Sequence, residues 1–304
     1  VVNFGKLTTF FIFFESINSP TMRLYKTNPH LLIEYQQQFY RYTQMSWDHC
    51  INRTGLREKL LQELGDLKPL ENFTAADLTA LQAPVGQQEI WAAGVTYYRS
   101  RVARMEESAA SGGADFYDLV YDAERPEIFY KGNALRTAAP EEAIYIRKDS
   151  NWNVPEPELT LWISSAGTIE GYTIGNDVSS RSIEGENPLY LPQAKVYDRS
   201  AALGPCIYLP ENGLPPSTTI QLQIERSGQT VFDKSITIDQ MKRGHQELVD
   251  YLYRECSFPH GCFLMTGTGI VPDNDFTLQT GDVVSIQIAG IGLLKNTVAQ
   301  REVG

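Results

Sequence analysis

The sequence predicts an α+β protein that is mostly β, with a small N-terminal α+β domain before a large strand-rich domain. Two observations support this prediction. Short strand and helix patterns are mixed up to about Leu81, whereas alternation of apolar and polar residues dominates from Ile90 onward, where one convincing helix interrupts it. With 304 residues, of which 42% are hydrophobic and 21% charged, the chain can bury a large core.

The chain divides into three predicted segments. Residues 1–21 are expected to be an upstream extension or an over-called start, because the MRLYKT run at Met22 looks like a natural beginning. The small α+β domain is predicted over 22–88 and the large domain over 89–304. A strand-rich domain of this size with few helices is typical of a rolled or barrel-like mixed sheet.

Alternation and turn residues predict the strands. In the small domain, two strands flank the Asn28-Pro29 turn. In the large domain, four segments alternate apolar and polar residues, and Ser227-Gly228 predicts a hairpin after the third of them. The predicted strands include 23–26, 31–35, 144–146, 159–163, 220–224 and 284–288.

Three helices are predicted from apolar spacing and capping residues. Thr54 is expected to cap a helix that ends at Gly65. The segment 74–77, TAAD, has capping-box spacing for a second short helix that ends near Leu81. The third helix covers 246–255 in the large domain.

Charge and apolar runs exclude two classes of partner. The chain carries 26 Lys and Arg against 37 Asp and Glu, for a net charge of -11 and a pI near 4.9. Such a field repels nucleic acid. The longest apolar run, FFIFF at 10–14, is far shorter than the roughly 20 residues that span a bilayer, and no signal-peptide cleavage pattern follows it. We therefore expect neither a nucleic-acid nor a membrane partner.

The cysteines and histidines indicate a reducing compartment and no soft-metal site. The four cysteines lack C-x-x-C spacing, and no two of the four histidines stand four residues apart. A disulfide framework and a histidine-based zinc site are both poor interpretations of such spacings. We expect reduced, partly buried cysteines in a cytoplasmic protein.

Three carboxylates form the most informative cluster. Glu156 and Glu158 are two residues apart, so on a strand they share one face, and Asp177 follows after a hairpin-length interval. Three carboxylates without His or Cys suit a hard cation such as Mg²⁺, Ca²⁺ or Mn²⁺. A solvated acidic strand edge is an equal alternative, because Pro155 and Pro157 are residues of sheet edges. The residues alone do not choose between the two.

Several other polar residues admit a chemical and a structural interpretation. Lys195 is either an acid/base or anion holder or a lysine whose amine reaches the surface, and Arg181 is similarly ambiguous. The Thr-Gly-Thr run ending at Thr268 is either a carboxylate-binding nest or a plain turn. The segment 101–122 is a surface helix and loop or a mobile lid. By itself, Glu127 reads as an exposed loop carboxylate.

Five motifs, in this order along 90–298, resemble the fumarylacetoacetate hydrolase superfamily. Their combination is far more specific than any one of them. They are E-x-E at 156–158, N-D-x-S-x-R at 176–181, K-x-x-D at 195–198 before G-P at 204–205, T-G-T at 266–268, and G-D-x-V with G-I-G-x-L at 281–284 and 290–294.

The resemblance implies a mixed β-roll fold, a divalent metal and usually a homodimer or a higher homo-oligomer. The metal is usually Mg²⁺, held by Glu156, Glu158 and Asp177, and this favours the metal interpretation over the strand edge. The resemblance also implies that Lys195 and Arg181 line the site and that Thr268 holds a substrate carboxylate.

One departure distinguishes this sequence from the hydrolytic members of the superfamily. Those members carry N-Y-x-x-H-x-x-E after the first strand of this domain, where His and Glu activate water. Here Tyr97 is followed by Ser100 and Ala103 at the two positions, and neither can act as a general base near neutral pH. Hydrolysis of a C–C bond by that route is not supported.

Three segments of the sequence instead resemble the 2-keto-3-deoxy-D-arabinonate dehydratase branch. The similarity lies in AAGVTYYRSR at 92–101, PEIFYK at 126–131 and the long 187–198 connection. It implies that Glu127 and Lys195 transfer protons, and that Tyr97 and Ser100 belong to the substrate site.

The branch implies a magnesium-dependent hydro-lyase. A 2-keto-3-deoxy sugar acid would chelate the ion, lose a C3 proton to give a metal-stabilised enolate and expel its C4 hydroxyl, so that a five-carbon substrate gives 2,5-dioxopentanoate. An enolate must be shielded, which favours the lid interpretation of 101–122. One alternative is a C–C hydrolase of β-diketo acids, with His245 or Glu247 as base. The other is a 2-keto-acid-binding protein without catalysis.

Overall fold

The computed structural model describes residues 21–99 and 119–302, and every structural statement below concerns these ranges. The α-helices lying wholly within them are α1 Trp47–Ile51, α2 Leu56–Leu64, α3 Arg181–Glu186, α4 Leu191–Lys195 and α5 His245–Tyr253. The strands are β1 Met22–Lys26, β2 Leu31–Tyr35, β3 Gln38–Tyr42, β4 Glu89–Gly94, β5 Glu127–Asn133, β6 Thr137–Ala138, β7 Ala143–Ile146, β8 Asn153–Val154, β9 Pro157–Ile163, β10 Ile169–Asp177, β11 Ser179–Ser180, β12 Ala201–Tyr208, β13 Thr219–Arg226, β14 Gln229–Thr237, β15 Cys262–Met265, β16 Val283–Ile288 and β17 Gly292–Gln300.

Two mixed sheets dominate the fold. The larger sheet has the strand order β3-β2-β1-β12-β10-β9-β15-β4-β5, with β6 paired to β12, and the smaller has the order β14-β13-β16-β17-β7. Most neighbouring strands are antiparallel, but β15–β4, β12–β6 and β17–β7 are parallel. The prediction of a mostly β, mixed-sheet protein is confirmed. Over the described strands both sheets are open, so the barrel-like alternative is not observed.

The main core lies between the two sheets. Leu159 and Ile174 of the larger sheet and Leu222 and Ile286 of the smaller sheet belong to one buried cluster. Their positions follow the alternation in the sequence, because every second residue of a strand faces the same side. Strand β9, which is also covered on its other face, is buried along all seven residues.

The N-terminal strands extend the larger sheet. Strand β1 pairs with β12, with Arg23 opposite Tyr208, and β2 and β3 follow outward. A second buried cluster joins Leu24 and Leu60 to Trp162 and Phe263 on the outer face of the sheet. The division into domains at 22–88 and 89–304 stays a prediction, and the segment 1–21 lies outside the described residues apart from Thr21.

Two turns explain why one hairpin was predicted and another was missed. Ser227 and Gly228 have φ of 51° and 75°, which suits the primed turn of a tight hairpin, and β13 pairs with β14 as predicted. Gln36 and Gln37 have φ of 51° and 64° between β2 and β3. Glutamine is not typical of such turns, so β3 was not predicted.

The predicted helices occur at the expected positions, but one N-cap residue and one helix length differ from the prediction. Thr54 does not cap α2, because Gly55 is the N-cap residue and the Leu56 amide donates to Glu170 Oε2 at 3.0 Å. The capping box between Thr74 and Asp77 is present, but it closes a single 3-10 turn that ends at Asp77. The third helix is confirmed as α5. None of the described helices is long and apolar enough to cross a membrane.

Candidate metal centre and active site

Two neighbouring strands bring the three predicted carboxylates together. Glu156 immediately precedes β9, Glu158 lies in β9 opposite Gly175 of β10, and Asp177 ends β10. The Asp177 amide donates to the Glu156 carbonyl at 3.0 Å, so the pairing continues past the end of β9. One oxygen from each carboxylate lies within 4.8 Å of the others, and all three side chains are buried.

The interpretation as a solvated strand edge is wrong. Strand β9 lies between β10 and β15 in the middle of the larger sheet. Pro157 is tolerated there because it is the first residue of the strand, where its missing amide hydrogen breaks no ladder bond. The backbone amide of the preceding residue, Glu156, donates to Asn176 Oδ1 at 3.2 Å.

Two of the predicted cationic residues contact the triad directly. Lys195 Nζ lies 2.8 Å from Glu156 Oε2, 3.0 Å from Asp177 Oδ2 and 2.6 Å from Ser179 Oγ. Arg181 Nη2 lies 2.7 Å from Glu156 Oε1. Both side chains are almost completely buried, so the surface interpretation of Lys195 is wrong.

A second buried lysine was not predicted as part of the site. Lys131 of β5 has no exposed surface, and its Nζ forms an ion pair with Asp177 Oδ1 at 2.7 Å. The same amine donates to the Val178 carbonyl at 3.1 Å and to the Lys195 carbonyl at 2.5 Å. It therefore links β5 to the end of β10 and to the end of α4. Its position two and four residues after Phe129 and Glu127 was the signal that could have identified it.

Glu158 is the triad carboxylate whose charge is least compensated by the described cationic side chains. Burial, and then the charges of Asp177 and Glu156, raise its pKa well above the ordinary value. Within the described ranges no lysine or arginine forms an ion pair with it, and its carboxylate accepts one hydrogen bond, from the Gly267 amide at 2.6 Å. Burial would also raise the pKa of Asp177, but the charges of Lys131 and Lys195 hold it below the ordinary value. A hard divalent ion would stabilise all three anions, so these residues fit one.

Glu127 lies beside the same cavity. It begins β5 opposite Gly94 of β4, and a Cβ built on Gly94 would collide with its carboxylate. Gly94 lines the cavity, so the carboxylate lies next to the cavity wall. The side chain is half-buried on a strand, and the interpretation as an exposed loop carboxylate is wrong. Two residues on, the ring centroid of Phe129 is 5.4 Å from Lys195 Nζ.

The Thr-Gly-Thr turn contributes two residues to the lining of the cavity. Gly267 has φ of 95°, a conformation that favours glycine, and its amide binds the Glu158 carboxylate. Thr268 lines the cavity, and its Oγ1 donates to the Ile270 carbonyl at 3.1 Å. The turn thus combines the two interpretations, since its backbone does bind a carboxylate, but that of Glu158.

The remaining predicted residues divide into three groups. Tyr97 is buried, and burial followed by the charges of Glu158 and Asp239 raises its pKa. Ser100 and most of the predicted lid at 101–122 lie outside the described residues. His245 and Glu247 begin α5 and are not among the residues that line the cavity, although burial lowers the pKa of His245.

Charged and apolar residues both line the cavity. The triad, Lys195 and Arg181 can orient an anion and move protons. Ala93, Val95 and Phe129 are the apolar residues of the lining.

The sequence matches one protein family and is similar to two proteins with related names. The pattern of the family described as fumarylacetoacetate (FAA) hydrolase C-terminal matches residues 98–299. A probable 2-keto-3-deoxyxylonate dehydratase of Haloferax volcanii is 51% identical over 216 residues, which cover 71% of this chain and 73% of that protein. A 2-dehydro-3-deoxy-D-arabinonate dehydratase of Saccharolobus solfataricus is 42% identical over 234 residues, which cover 76% and 78%.

Solved structures with dehydratase names are also similar to this chain. The apo form of a 2-keto-3-deoxy-D-arabinonate dehydratase superposes with a TM-score of 0.78 at 32% identity and covers 93% of this chain and 100% of its own. The same kind of enzyme complexed with magnesium and 2,5-dioxopentanoate has a TM-score of 0.76 at 31% identity, with the same coverage. The five ordered motifs, the matched 98–299 segment and these similarities agree, and the chain belongs to the fumarylacetoacetate hydrolase family.

Proposed function

We propose that this protein is a magnesium-dependent hydro-lyase that dehydrates a 2-keto-3-deoxy sugar acid, of the type that converts 2-keto-3-deoxy-D-arabinonate to 2,5-dioxopentanoate. The observation that carries the proposal is the buried triad of Glu156, Glu158 and Asp177, placed in one cavity with Lys195 and beside Glu127. The relatives named as dehydratases, and the similar structure that holds magnesium and 2,5-dioxopentanoate, support it.

The triad would hold the ion. Three carboxylates offer the oxygen ligands that Mg²⁺ prefers, and Ca²⁺ or Mn²⁺ also suit them. When bound, magnesium acts as a Lewis acid that polarises the keto group and makes the C3 proton more acidic. In the structure Lys195 bonds to oxygens of two of these carboxylates, so it lies next to any substrate that reaches the ion.

Glu127 and Lys195 are proposed to carry the two proton transfers. Dehydration removes one proton from C3 and breaks the C4–O bond, and the departing hydroxyl takes up a proton and leaves as water. The unsaturated product then tautomerises, with net transfer of a proton from C5 to C3 and of the C5 hydroxyl proton to C4, to give the terminal aldehyde of 2,5-dioxopentanoate. One of the two side chains accepts the C3 proton and the other supplies the second proton. We assign the two transfers to this pair of residues without dividing base from acid. A general acid or base contributes about 10²–10⁴-fold to a rate.

Four further residues are proposed to bind the substrate. Thr268 is assigned to the substrate carboxylate, and Arg181, Tyr97 and Ser100 are assigned to the substrate site; Arg181 and Thr268 line the cavity. The guanidinium of Arg181 pairs with Glu156 Oε1 at 2.7 Å and lines the cavity, so it lies next to a substrate anion that reaches the triad.

A direct assay tests the proposed reaction. Purified protein with Mg²⁺ is incubated with five- and six-carbon 2-keto-3-deoxy aldonates, and products are identified by mass spectrometry. We expect 2,5-dioxopentanoate from a five-carbon substrate, none after chelation of the metal, and a rate about 10²–10⁴-fold lower in Glu127→Gln. Cleavage of acetylpyruvate into two acids would instead indicate a hydrolase. Tight binding of pyruvate or oxalate without any turnover would indicate a binding protein.

We also infer a homodimer and a cytoplasmic location. Leu135 and Leu189 are 86% and 83% exposed on 3-10 turns, and covering such side chains would favour association. All four cysteines are free, as expected in a reducing compartment. Light scattering of the purified protein is expected to give twice the chain mass, and a value of one chain mass would contradict the dimer.

Gly94→Ala is expected to lower kcat by about 10²-fold with little change in magnesium affinity, because its methyl group would displace the carboxylate of Glu127. Steady-state kinetics and calorimetric titration with Mg²⁺ measure the two effects. Gly132→Ala is the matched control on β5, since its Cβ would lie 3.4 Å from the nearest atom. Equal kcat values for both variants would show that the Glu127 carboxylate need not lie over Gly94.

A further inference from the structure

The turn at 241–244 contacts the chain on both sides of residues 100–118. On the earlier side, Tyr97 forms an antiparallel bridge with Met241, and the Lys242 amide donates to the Thr96 carbonyl at 2.9 Å. On the later side, Lys242 Nζ donates to the Tyr121 carbonyl at 2.6 Å and forms an ion pair with Asp122 at 2.7 Å. We refer to residues 241–244 as the anchoring turn.

Arg243 makes the most extensive of these contacts. Its side chain is 8% exposed, and its guanidinium donates to the carbonyls of Val120 at 3.3 Å and Glu124 at 3.1 Å and to that of Ala123. These carbonyls belong to the end of the helical residues 119–122 and to the turn after it. Glu247 Oε1 pairs with Arg243 Nη1 at 2.6 Å.

The link from these carbonyls to Glu127 is short and stiff. Only Arg125 and Pro126 separate Glu124 from Glu127. Proline fixes its own φ and restricts the residue before it to extended conformations. The Arg125 guanidinium lies 5.4 Å from the ring centroid of Tyr251 on α5, which gives the same link a second attachment. A shift at Glu124 is therefore transmitted to the start of β5.

We propose that the anchoring turn positions Glu127, and that Arg243 is the positioning residue through which it does so. The inference rests on the proposed function, in which Glu127 transfers a proton. Arg243 is not among the residues that line the cavity, so its effect on the reaction is indirect, and we assign that effect to the placement of the strand that begins at Glu127.

A double-mutant cycle separates this role from general stabilisation. Arg243→Ala is expected to lower kcat by roughly 10- to 100-fold, because a misplacement of about 1 Å can cost that much. Magnesium affinity stays unchanged. In a Glu127→Gln background, measured under single-turnover conditions with enzyme in excess, Arg243→Ala causes no further loss. Arg243→Lys, which keeps the charge but not the planar fork, recovers only part of the rate.

Arg226→Ala is the matched control. Arg226 donates to Asp282 Oδ1 at 2.8 Å and to the Thr277 carbonyl at 2.9 Å, and it does not line the cavity. We expect a lower melting temperature with unchanged kcat. If Arg243→Ala lowers the rate by the same factor in the wild type and in Glu127→Gln, the proposal is overturned. A wild-type kcat in Arg243→Ala would overturn it as well.

Hydrogen exchange provides a readout that does not depend on the reaction. In Arg243→Lys, amides over 120–128 are expected to exchange faster than in the wild type, while β9 and β10 exchange unchanged. Unchanged exchange over 120–128 would contradict the anchoring role even if the substrate proves to be different. Absence of turnover in the wild type, with the exchange difference present, would refute the proposed function alone.

Discussion

Glu158→Gln is expected to abolish magnesium binding and to lower kcat/KM by about 10³-fold or more. Lewis-acid assistance is worth several kcal/mol, and about 1.4 kcal/mol corresponds to tenfold in rate. A neutral amide in place of Glu158 also removes the one triad carboxylate that no described cation pairs with. Calorimetric titration with Mg²⁺ and steady-state kinetics measure the two losses.

The same variant makes an opposite prediction for stability without metal. Wild-type protein buries the Glu158 carboxyl beside two other acids, and its pKa is raised for that reason. Glutamine has the same shape without the charge and keeps the Gly267 contact, so the metal-free variant should melt at the wild-type temperature or above. Added Mg²⁺ should raise the melting temperature of the wild type only. A variant that unfolds well below the metal-free wild type would show that Glu158 has a structural role instead.

Lys131→Met is expected to destabilise the protein by about 3–5 kcal/mol, because it leaves Asp177 with a buried charge that loses one of its two lysine partners. It also releases the carbonyls of Val178 and Lys195, so kcat should fall as well. Denaturant unfolding gives the first effect, and kinetics on the folded fraction the second.

Two controls make this result specific. Arg147→Met breaks a pair with Asp149 at the surface, where such pairs are worth at most about 1 kcal/mol. Lys131→Met combined with Asp177→Asn removes both partners and should cost less stability than the sum of the single changes. Equal unfolding free energies for Lys131→Met and Arg147→Met would contradict the linking role of Lys131.

The triad could be predicted because its geometry is local in the sequence. Glu156 and Glu158 are two residues apart, and the hairpin interval that brings Asp177 beside them is readable from the turn and the alternation. Their burial could not be predicted. Pro155 and Pro157 indicated an edge, and only the order of strands from distant parts of the chain places β9 in the centre of the sheet.

Several site residues acquire their roles from contacts between distant segments. The residues alone left Lys195 between a chemical role and a surface position, and only the resemblance favoured the chemical role; the carboxylates of Glu156 and Asp177 stabilise its amine inside. Lys131 was missed although its spacing from Glu127 and Phe129 places it on the same face of one strand; its pairing with Asp177, 46 positions later in the sequence, is not revealed by that spacing. Arg243 was likewise part of an unremarkable turn until the fold brought it to the carbonyls before Glu127.

Diffraction from a crystal soaked with Mn²⁺, recorded near the manganese absorption edge, tests the central claim most directly. Mn²⁺ prefers the same oxygen ligands as Mg²⁺ and has a strong anomalous signal. We predict one anomalous peak per chain, within about 2.0–2.3 Å of oxygens from Glu156, Glu158 and Asp177, which is the range of hard-ion distances to carboxylates. No peak between these side chains in a catalytically active crystal, or a peak held by other residues, would contradict the account.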